Sequence, residues 1–172
     1  MFGPAGRDLT GTGERAFTRQ LYFSLVGQML VMKAHIESLR SQNIFGSSFW
    51  MFNELWPSGS WGSIEYGADV PGHIEGGRWK PLHYMLRASI FADQLLVCTA
   101  DGSCFVANDS PFEFTGTATV RVLNVISGAS STILSQPLSL PPGPRFTQWF
   151  CGTGNLSGGE DVVRLDASGK SR

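Results

Sequence analysis

The chain has 172 residues and a formal charge of −1, with 13 Lys+Arg against 14 Asp+Glu. Only 16% of residues are charged, against about 25% in a typical globular domain. Near-neutrality without basic runs argues against nucleic acid as the main partner. With Gly at 21 and Pro at 9, the composition fits a β-rich or loop-rich chain and argues against a helical bundle. The length excludes a complete TIM barrel, which needs about 250 residues. No apolar stretch approaches the ~18 residues of a membrane span.

Residues 1–14 read as a disordered or truncated end. They are Gly-rich, hold Asp8 and Glu14, and lack the charged-then-apolar layout of a signal peptide. Either the protein is cytosolic or its true N-terminus lies upstream. From Ala16 to Arg40 the pattern is helical: Phe17, Leu21, Leu25, Met29, Met32, Ile36 and Leu39 recur at intervals of three and four. Tyr22 and Val26 widen the stripe, so the helix is expected to pack one broad face. Lys33, Glu37 and Arg40 lie away from its centre, and Glu37 and Arg40 form an i,i+3 pair.

The run Ile44–Phe52 is short, aromatic and bounded by polar and Gly/Pro residues. Without clean alternation it reads as a strand buried on both faces, as in a parallel sheet. Asn53–Lys80, studded with Gly and Pro, is too long for an ordinary connection, and such loops are usually functional. A helix is expected to start at Pro81, with Leu82, Met85, Leu86 and Ile90 on its apolar face.

After Ala92 come five short runs rich in Val, Leu, Thr and Phe: Gln94–Thr99, Ser103–Ala107, Thr117–Ile126, Thr132–Leu140 and Arg145–Phe150. Turn-forming residues punctuate them, which is the pattern of an antiparallel β-sandwich. From Cys151 to the end the chain is Gly/Ser-rich and is expected to be disordered. Cys98 and Cys104 flank Asp101-Gly102. A two-residue turn would set Cys98 opposite Phe105 and put the sulfurs on opposite faces, whereas a three-residue loop would pair them. The Asp-Gly signal favours the first, with the cysteines as small buried hydrophobes. No cysteine lies in a metal-binding spacing, and no cofactor or metal cluster is evident.

Four of the five tryptophans, Trp50, Trp56, Trp61 and Trp79, fall within one loop region. Asn53, Glu54, Glu65, Tyr66, His83 and Tyr84 sit among them. Aromatic faces stack on the C–H faces of sugars, and Asn and carboxylates hydrogen-bond hydroxyls. Any single Trp is more simply a packing residue under a long loop. The cluster after a buried strand reads as a sugar site, because barrel enzymes carry their sites on such loops.

The runs Phe49-Trp50-Met51-Phe52-Asn53-Glu54-Leu55-Trp56-Pro57, Ser60-Trp61-Gly62-Ser63-Ile64-Glu65-Tyr66-Gly67 and Gly77-Arg78-Trp79-Lys80-Pro81-Leu82-His83-Tyr84 resemble the end of the catalytic barrel of β-mannosidases of glycoside hydrolase family 2. The end of the first helix, Glu37–Arg40, and the strands after Ala92, including Val106-Ala107-Asn108-Asp109, resemble what flanks that region. The resemblance implies an α/β plus β fold. Residues 15–92 would be the last βα unit of an incomplete (β/α)8 TIM barrel, and 93–150 a partial immunoglobulin-like β-sandwich, followed by a disordered tail over 151–172. Ile44–Phe52 would be the eighth barrel strand and Pro81–Phe91 the eighth helix. Trp50 would floor the subsite of the cleaved sugar, and Asn53, Glu54 and Trp56 would complete the substrate-binding set. The sequence departs from the family at Met51 and Glu54, where Gln and Asp are usual. Ala68 to Gly76 is an insertion that either reshapes the pocket rim or is an unremoved intron.

Asn53-Glu54 and Ile64-Glu65-Tyr66-Gly67 imitate the family's acid/base and nucleophile motifs. The surrounding tryptophans align both with strand eight, which implies that Glu54 bonds loop backbone or a sugar hydroxyl and Glu65 orders the loop. The catalytic pair would belong to strands four and seven, before Met1, so this chain holds no catalytic residue. His83 reads as a structural hydrogen-bonder. The expected function is that of a piece of a retaining β-mannosidase-like enzyme acting on terminal β-linked mannose in glycans, inactive alone. The alternatives are another family 2 exo-glycosidase (glucosaminidase or galactosidase) and a non-catalytic carbohydrate-binding module. The expected partner is a glycan or β-mannoside, with neither nucleic acid nor membrane. The family is lysosomal, secreted or cytoplasmic.

Overall fold

The computed structural model describes residues 11–44, 46–56, 58–59, 61–65, 78–99, 102–151 and 161–171. In chain order the elements are α1 (Glu14–Ser41), α2 (Pro81–Met85) running into a π-helical turn (Leu86–Ile90), then β1 (Gln94–Cys98), β2 (Ser103–Asn108), β3 (Phe114–Asn124), β4 (Ser130–Leu140), β5 (Gly143–Cys151) and β6 (Asp161–Ser171). They form two compact units. One comprises Met1–Ile36 with Ser47–Ala88, and the other Glu37–Gly46 with Ser89–Arg172. No helix among the described residues is long and apolar enough to cross a membrane.

Helix α1 is 28 residues long. The Gly13 carbonyl accepts its first bond, from Phe17 N–H at 3.0 Å. Glu14 in the first turn and Arg40 in the last complement the helix dipole. Its end is closed by Asn43, which sits in the left-handed region at φ 57°. Ile44 N–H bonds the Leu39 carbonyl and Asn43 N–H the Arg40 carbonyl, the paired bonds of a Schellman stop. The expected apolar stripe is only partly covered. Ile36 is buried, but Phe17 is 65% exposed and Tyr22 is exposed too. The half-buried remainder shows that this face is not packed along its whole length.

In the second unit, two antiparallel three-stranded sheets have the orders β1-β2-β5 and β4-β3-β6. Val106 of the first sheet meets Phe114, Ala118, Leu138 and Leu140 of the second, with Leu96, Trp149 and Ala167 packed around them. This is the core of a β-sandwich. The other face of the first sheet is also apolar, through Leu95, Val97, Ala107 and Phe146. The end of α1 lies on it: the Arg40 guanidinium is 5.0 Å from the Phe146 ring centroid. Asn43 Oδ1 accepts from Phe146 N–H at 2.5 Å. Arg40 Nη2 also donates to both carboxylate oxygens of Asp109, at 2.8 and 2.7 Å, charge-assisted bonds from one nitrogen.

Asn108 is 1% exposed and ties the sandwich together. Its Nδ2 donates to the Phe112 carbonyl at 2.5 Å and the Leu140 carbonyl at 3.3 Å. Its Oδ1 accepts from Gln94 Nε2 and Ser110 N–H. Pro137 is tolerated because β4 is an edge strand. A Cβ on Gly116 would collide with the Ser168 carbonyl, next to its partner Gly169, so β3 and β6 approach more closely there than another residue would allow.

All five expected strands form, and three expectations need correction. First, Ile44–Phe52 is not a buried strand: its described residues form no strand, and Ile44, Trp50 and Phe52 are exposed. A strand covered on both faces needs neighbours on each edge, and the described backbone bonds to another loop segment are confined to its last residue, Phe52, whose carbonyl accepts from Ser63 and Ile64 N–H. Second, the tail is not disordered throughout: β6 pairs with β3 from Phe114↔Ser171 to Asn124↔Asp161. The backbone ladder holds it despite its polar composition. Third, Cys98 and Cys104 form a disulfide. Gly102, at φ 83°, donates its N–H to the Thr99 carbonyl. That makes the connection three residues long and sets Cys98 opposite Cys104. The 1–10 and 68–76 readings fall outside the described residues.

Two outcomes follow. Asn108→Ala leaves several buried partners unmet and should destabilise the sandwich by about 1–3 kcal/mol, read from urea unfolding. Peptide mapping after alkylation under denaturing conditions should find Cys98 and Cys104 unlabelled until a reductant is added.

Candidate functional site

The tryptophan-rich loop of the first unit is built around Ile64. Ile64 bridges Asn53 in parallel and Trp79 antiparallel. Ile64 N–H bonds the Phe52 carbonyl and Glu54 N–H bonds the Ile64 carbonyl, both at 3.1 Å. Glu65 N–H reaches the Arg78 carbonyl at 2.8 Å, and Lys80 N–H the Ser63 carbonyl at 2.9 Å. Three short extended segments thus lie side by side. Gly62 permits this, since a Cβ there would stand 2.7 Å from the Asn53 carbonyl carbon.

Extended segments alternate their side chains, and here the alternation turns charge inward. Glu54 is 1% exposed and Lys80 is 2% exposed, and they form an ion pair. Ser58 Oγ donates to Glu54 Oε1 at 2.5 Å and Ser58 N–H to Oε2 at 3.3 Å. Lys80 Nζ also donates to the Ser58 carbonyl at 2.9 Å. Of the two roles read for Glu54, bonding the loop is the one observed: its oxygens are not presented to solvent. Glu65 ties two limbs of the loop, accepting from Arg78 Nε at 2.7 Å. Ser63 Oγ donates to the Phe52 carbonyl at 3.0 Å and lies 3.0 Å from His83 Nδ1. A hydroxyl has one proton to give, so His83 Nδ1 is the donor to Ser63. His83 is a structural hydrogen-bonder, as expected.

The aromatics face the other way. Trp50 is 82% exposed, beside a cis peptide to Met51. Phe52, Leu55, Trp56, Trp61, Trp79 and Tyr84 are also exposed, as is Asn53. Trp56 and Trp61 pair at 5.0 Å between ring centroids, tilted by 58°. Trp79 lies against His83 at 4.5 Å and Tyr84 at 5.3 Å, with the Arg87 guanidinium 5.5 Å from its ring centroid. Of the four residues singled out from sequence, Trp50, Asn53 and Trp56 are on the outer surface and Glu54 is beneath it. Lys80 and Ser58 were missed, because Lys80 reaches Glu54 across 26 positions and no local spacing signals that. Trp61 was in view as a tryptophan but not as the partner of Trp56. Among the described residues no three His, Cys, Asp or Glu side chains gather as metal ligands would.

The chain resembles part of a β-mannosidase in both sequence and fold. It is 32% identical over 120 residues to the β-mannosidase of Capra hircus, a match covering 63% of this chain and 12% of that protein. It is 33% identical over 100 residues to those of Mus musculus and Rattus norvegicus, covering 53% of this chain and 10% of each. The chain therefore spans 10–12% of the length of these curated relatives. Its fold matches the crystal structure of a β-D-mannosidase from Dictyoglomus thermophilum with a TM-score of 0.70. That match has 19% identity and covers 92% of this chain and 19% of the other, so it is a likeness of fold. No protein-family model matches the chain.

Lys80→Met would leave Glu54 buried without its cation. Breaking a buried pair by removing one partner costs about 3–5 kcal/mol, so the loop should open locally. Hydrogen exchange should rise at Glu54, Ile64 and Glu65 while β3 stays protected.

Proposed function

We propose that this chain is the sugar-contacting end of the catalytic barrel, with the following immunoglobulin-like domain, of a β-mannosidase-like retaining glycosidase. In this reading residues 15–92 belong to the barrel end. The sandwich begins at 93 and runs through β6. The substrate is a glycan with terminal β-linked mannose. The observation that carries the reading is the sidedness of the loop, with the Glu54–Lys80 pair buried and Trp50, Trp56, Trp61 and Trp79 left exposed. Large exposed apolar patches mark binding sites, and aromatic faces with a neighbouring amide suit a pyranose. The names of the relatives favour mannose over glucosamine or galactose.

In this mechanism the Trp50 face lies under the sugar ring and Asn53 bonds a hydroxyl. A ring flattening toward an oxocarbenium ion gains positive charge, which an indole face attracts. Retention also needs two carboxylates about 5–5.5 Å apart, one as acid/base and one as nucleophile. Glu54 is committed to Lys80 and Ser58, and Glu65 to Arg78. The reacting pair therefore comes from polypeptide other than these loop residues, and the chain alone binds without cleaving. That same commitment of both acids favours the binding-module reading for the chain by itself.

The test is direct. The purified chain should bind methyl β-mannoside, seen as a change in tryptophan fluorescence, and release nothing from an aryl β-mannoside. Trp50→Ala should weaken binding roughly 2- to 30-fold, the equivalent of about 0.5–2 kcal/mol. Turnover that is lost in Glu65→Gln would overturn the assignment and make Glu65 a catalytic carboxylate.

A further inference from the structure

One face of α1 shapes the loop that carries the paired indoles. Leu21, Ser24 and Gln28 stand at i, i+3 and i+7, one above another on the helix. A Cβ on Gly59 would meet Leu21 Cδ1 at 3.0 Å and Ser24 Oγ at 3.5 Å, so the loop backbone lies directly on this stripe. Gln28 Nε2 donates to the Trp61 carbonyl at 2.5 Å, with the Gly62 carbonyl at 3.5 Å. Trp61 holds φ at 71°, a conformation that costs a non-glycine residue free energy and persists only where its surroundings impose it. Gly62, pressed against Asn53 and Glu54, fixes the next residue. The Trp61 side chain is thereby aimed at Trp56, 5.0 Å away, and both indoles remain about half exposed, at 47% and 50%.

Among the described residues, Gln28 Oε1 is buried with no partner. An orphaned buried acceptor opposes folding, so the amide is a poor choice for packing alone, and a leucine would remove the orphan. What leucine cannot supply is the donor to the Trp61 carbonyl.

We propose that Gln28 is a positioning residue that holds Trp56 and Trp61 as a second stacking platform, distinct from Trp50, for a further pyranose ring of the glycan. This rests on the sugar-binding reading above. The ligand class is an oligosaccharide of at least two rings, because the platform adds stacking area that a single sugar on Trp50 does not use.

The experiment measures circular dichroism and sugar affinity on the full chain and three variants. Two indoles at this distance and tilt should give an exciton couplet in the ultraviolet, assigned by its loss in Trp56→Phe. Gln28→Leu and Gln28→Glu, neither of which can donate to the carbonyl, should both lose the couplet, while hydrogen exchange in α1 and the melting temperature stay near the parent's. The parent should bind β-linked mannobiose about fivefold more tightly than methyl β-mannoside, the worth of one added aromatic contact. Gln28→Leu should abolish that preference without changing affinity for the monosaccharide. A couplet that survives both Gln28 variants overturns the positioning role. Equal affinity of the parent for both sugars overturns the platform. If neither sugar binds, the sugar-binding reading itself fails and the platform with it, while the couplet still reports whether Gln28 holds Trp61. If Gln28→Leu loses α1 protection, Trp61→Phe replaces it in the affinity arm and must give the same selective loss.

Discussion

The buried ion pair between Glu54 and Lys80 decides which way the tryptophan loop faces. Desolvating each ion costs several kcal/mol, and their attraction offsets this only when further hydrogen bonds satisfy the remaining valences. Ser58 supplies them, giving its hydroxyl and amide to the carboxylate and its carbonyl to the ammonium. An apolar pair of the same volume would often be as stable or more so. What the ion pair adds is direction. Once Glu54 is drawn inward, alternation turns Asn53 and Leu55 outward, and the same holds for Trp79 beside Lys80.

The loop thus inverts the usual partition of a folded surface. Glu54 and Lys80 are inside and its largest apolar side chains are outside. Exposed indoles have little to gain from water, so the arrangement is costly unless something covers them. A sugar ring fits that requirement better than an aliphatic partner does, because its C–H face is apolar while its rim carries hydroxyls. The exposed Asn53 amide can answer such a rim. The backbone supports this geometry at two unusual positions: Trp61 in the left-handed region and Gly62 where no Cβ fits.

Much of the fold was legible in the sequence because it rests on local pattern. The period of α1 placed its ends within two residues of those observed, and the five strand runs coincide with β1 to β5. The errors share a cause, which is that pairing partners are not written locally. Ile44–Phe52 has the composition of a doubly covered strand, but composition does not provide the covering strands. Asp161–Ser171 lacks a strand's alternation, yet a full-length ladder with β3 makes it one. Around the cysteines a single residue of turn length decided the outcome, since a shift of one moves every side chain to the opposite face. In the candidate site, the aromatic residues could be read from their density. The partner of Glu54 could not, because only the folded loop brings Lys80 to it.

The commitment of both loop acids to structure limits what this surface can do chemically. Binding a ground-state sugar and its transition state equally well lowers the dissociation constant without accelerating any step. A platform of indoles discriminates between the two only through the charge that develops on the ring, a modest effect per aromatic face. Most of the barrier to breaking a glycosidic bond is lowered by a proton donor at the leaving oxygen and a nucleophile at the ring carbon. In this loop the two carboxylates that could be mistaken for such groups are held by Lys80, Ser58 and Arg78. Freeing Glu54 for chemistry would break its bonds to Lys80 and Ser58 and disturb the loop that presents the indoles.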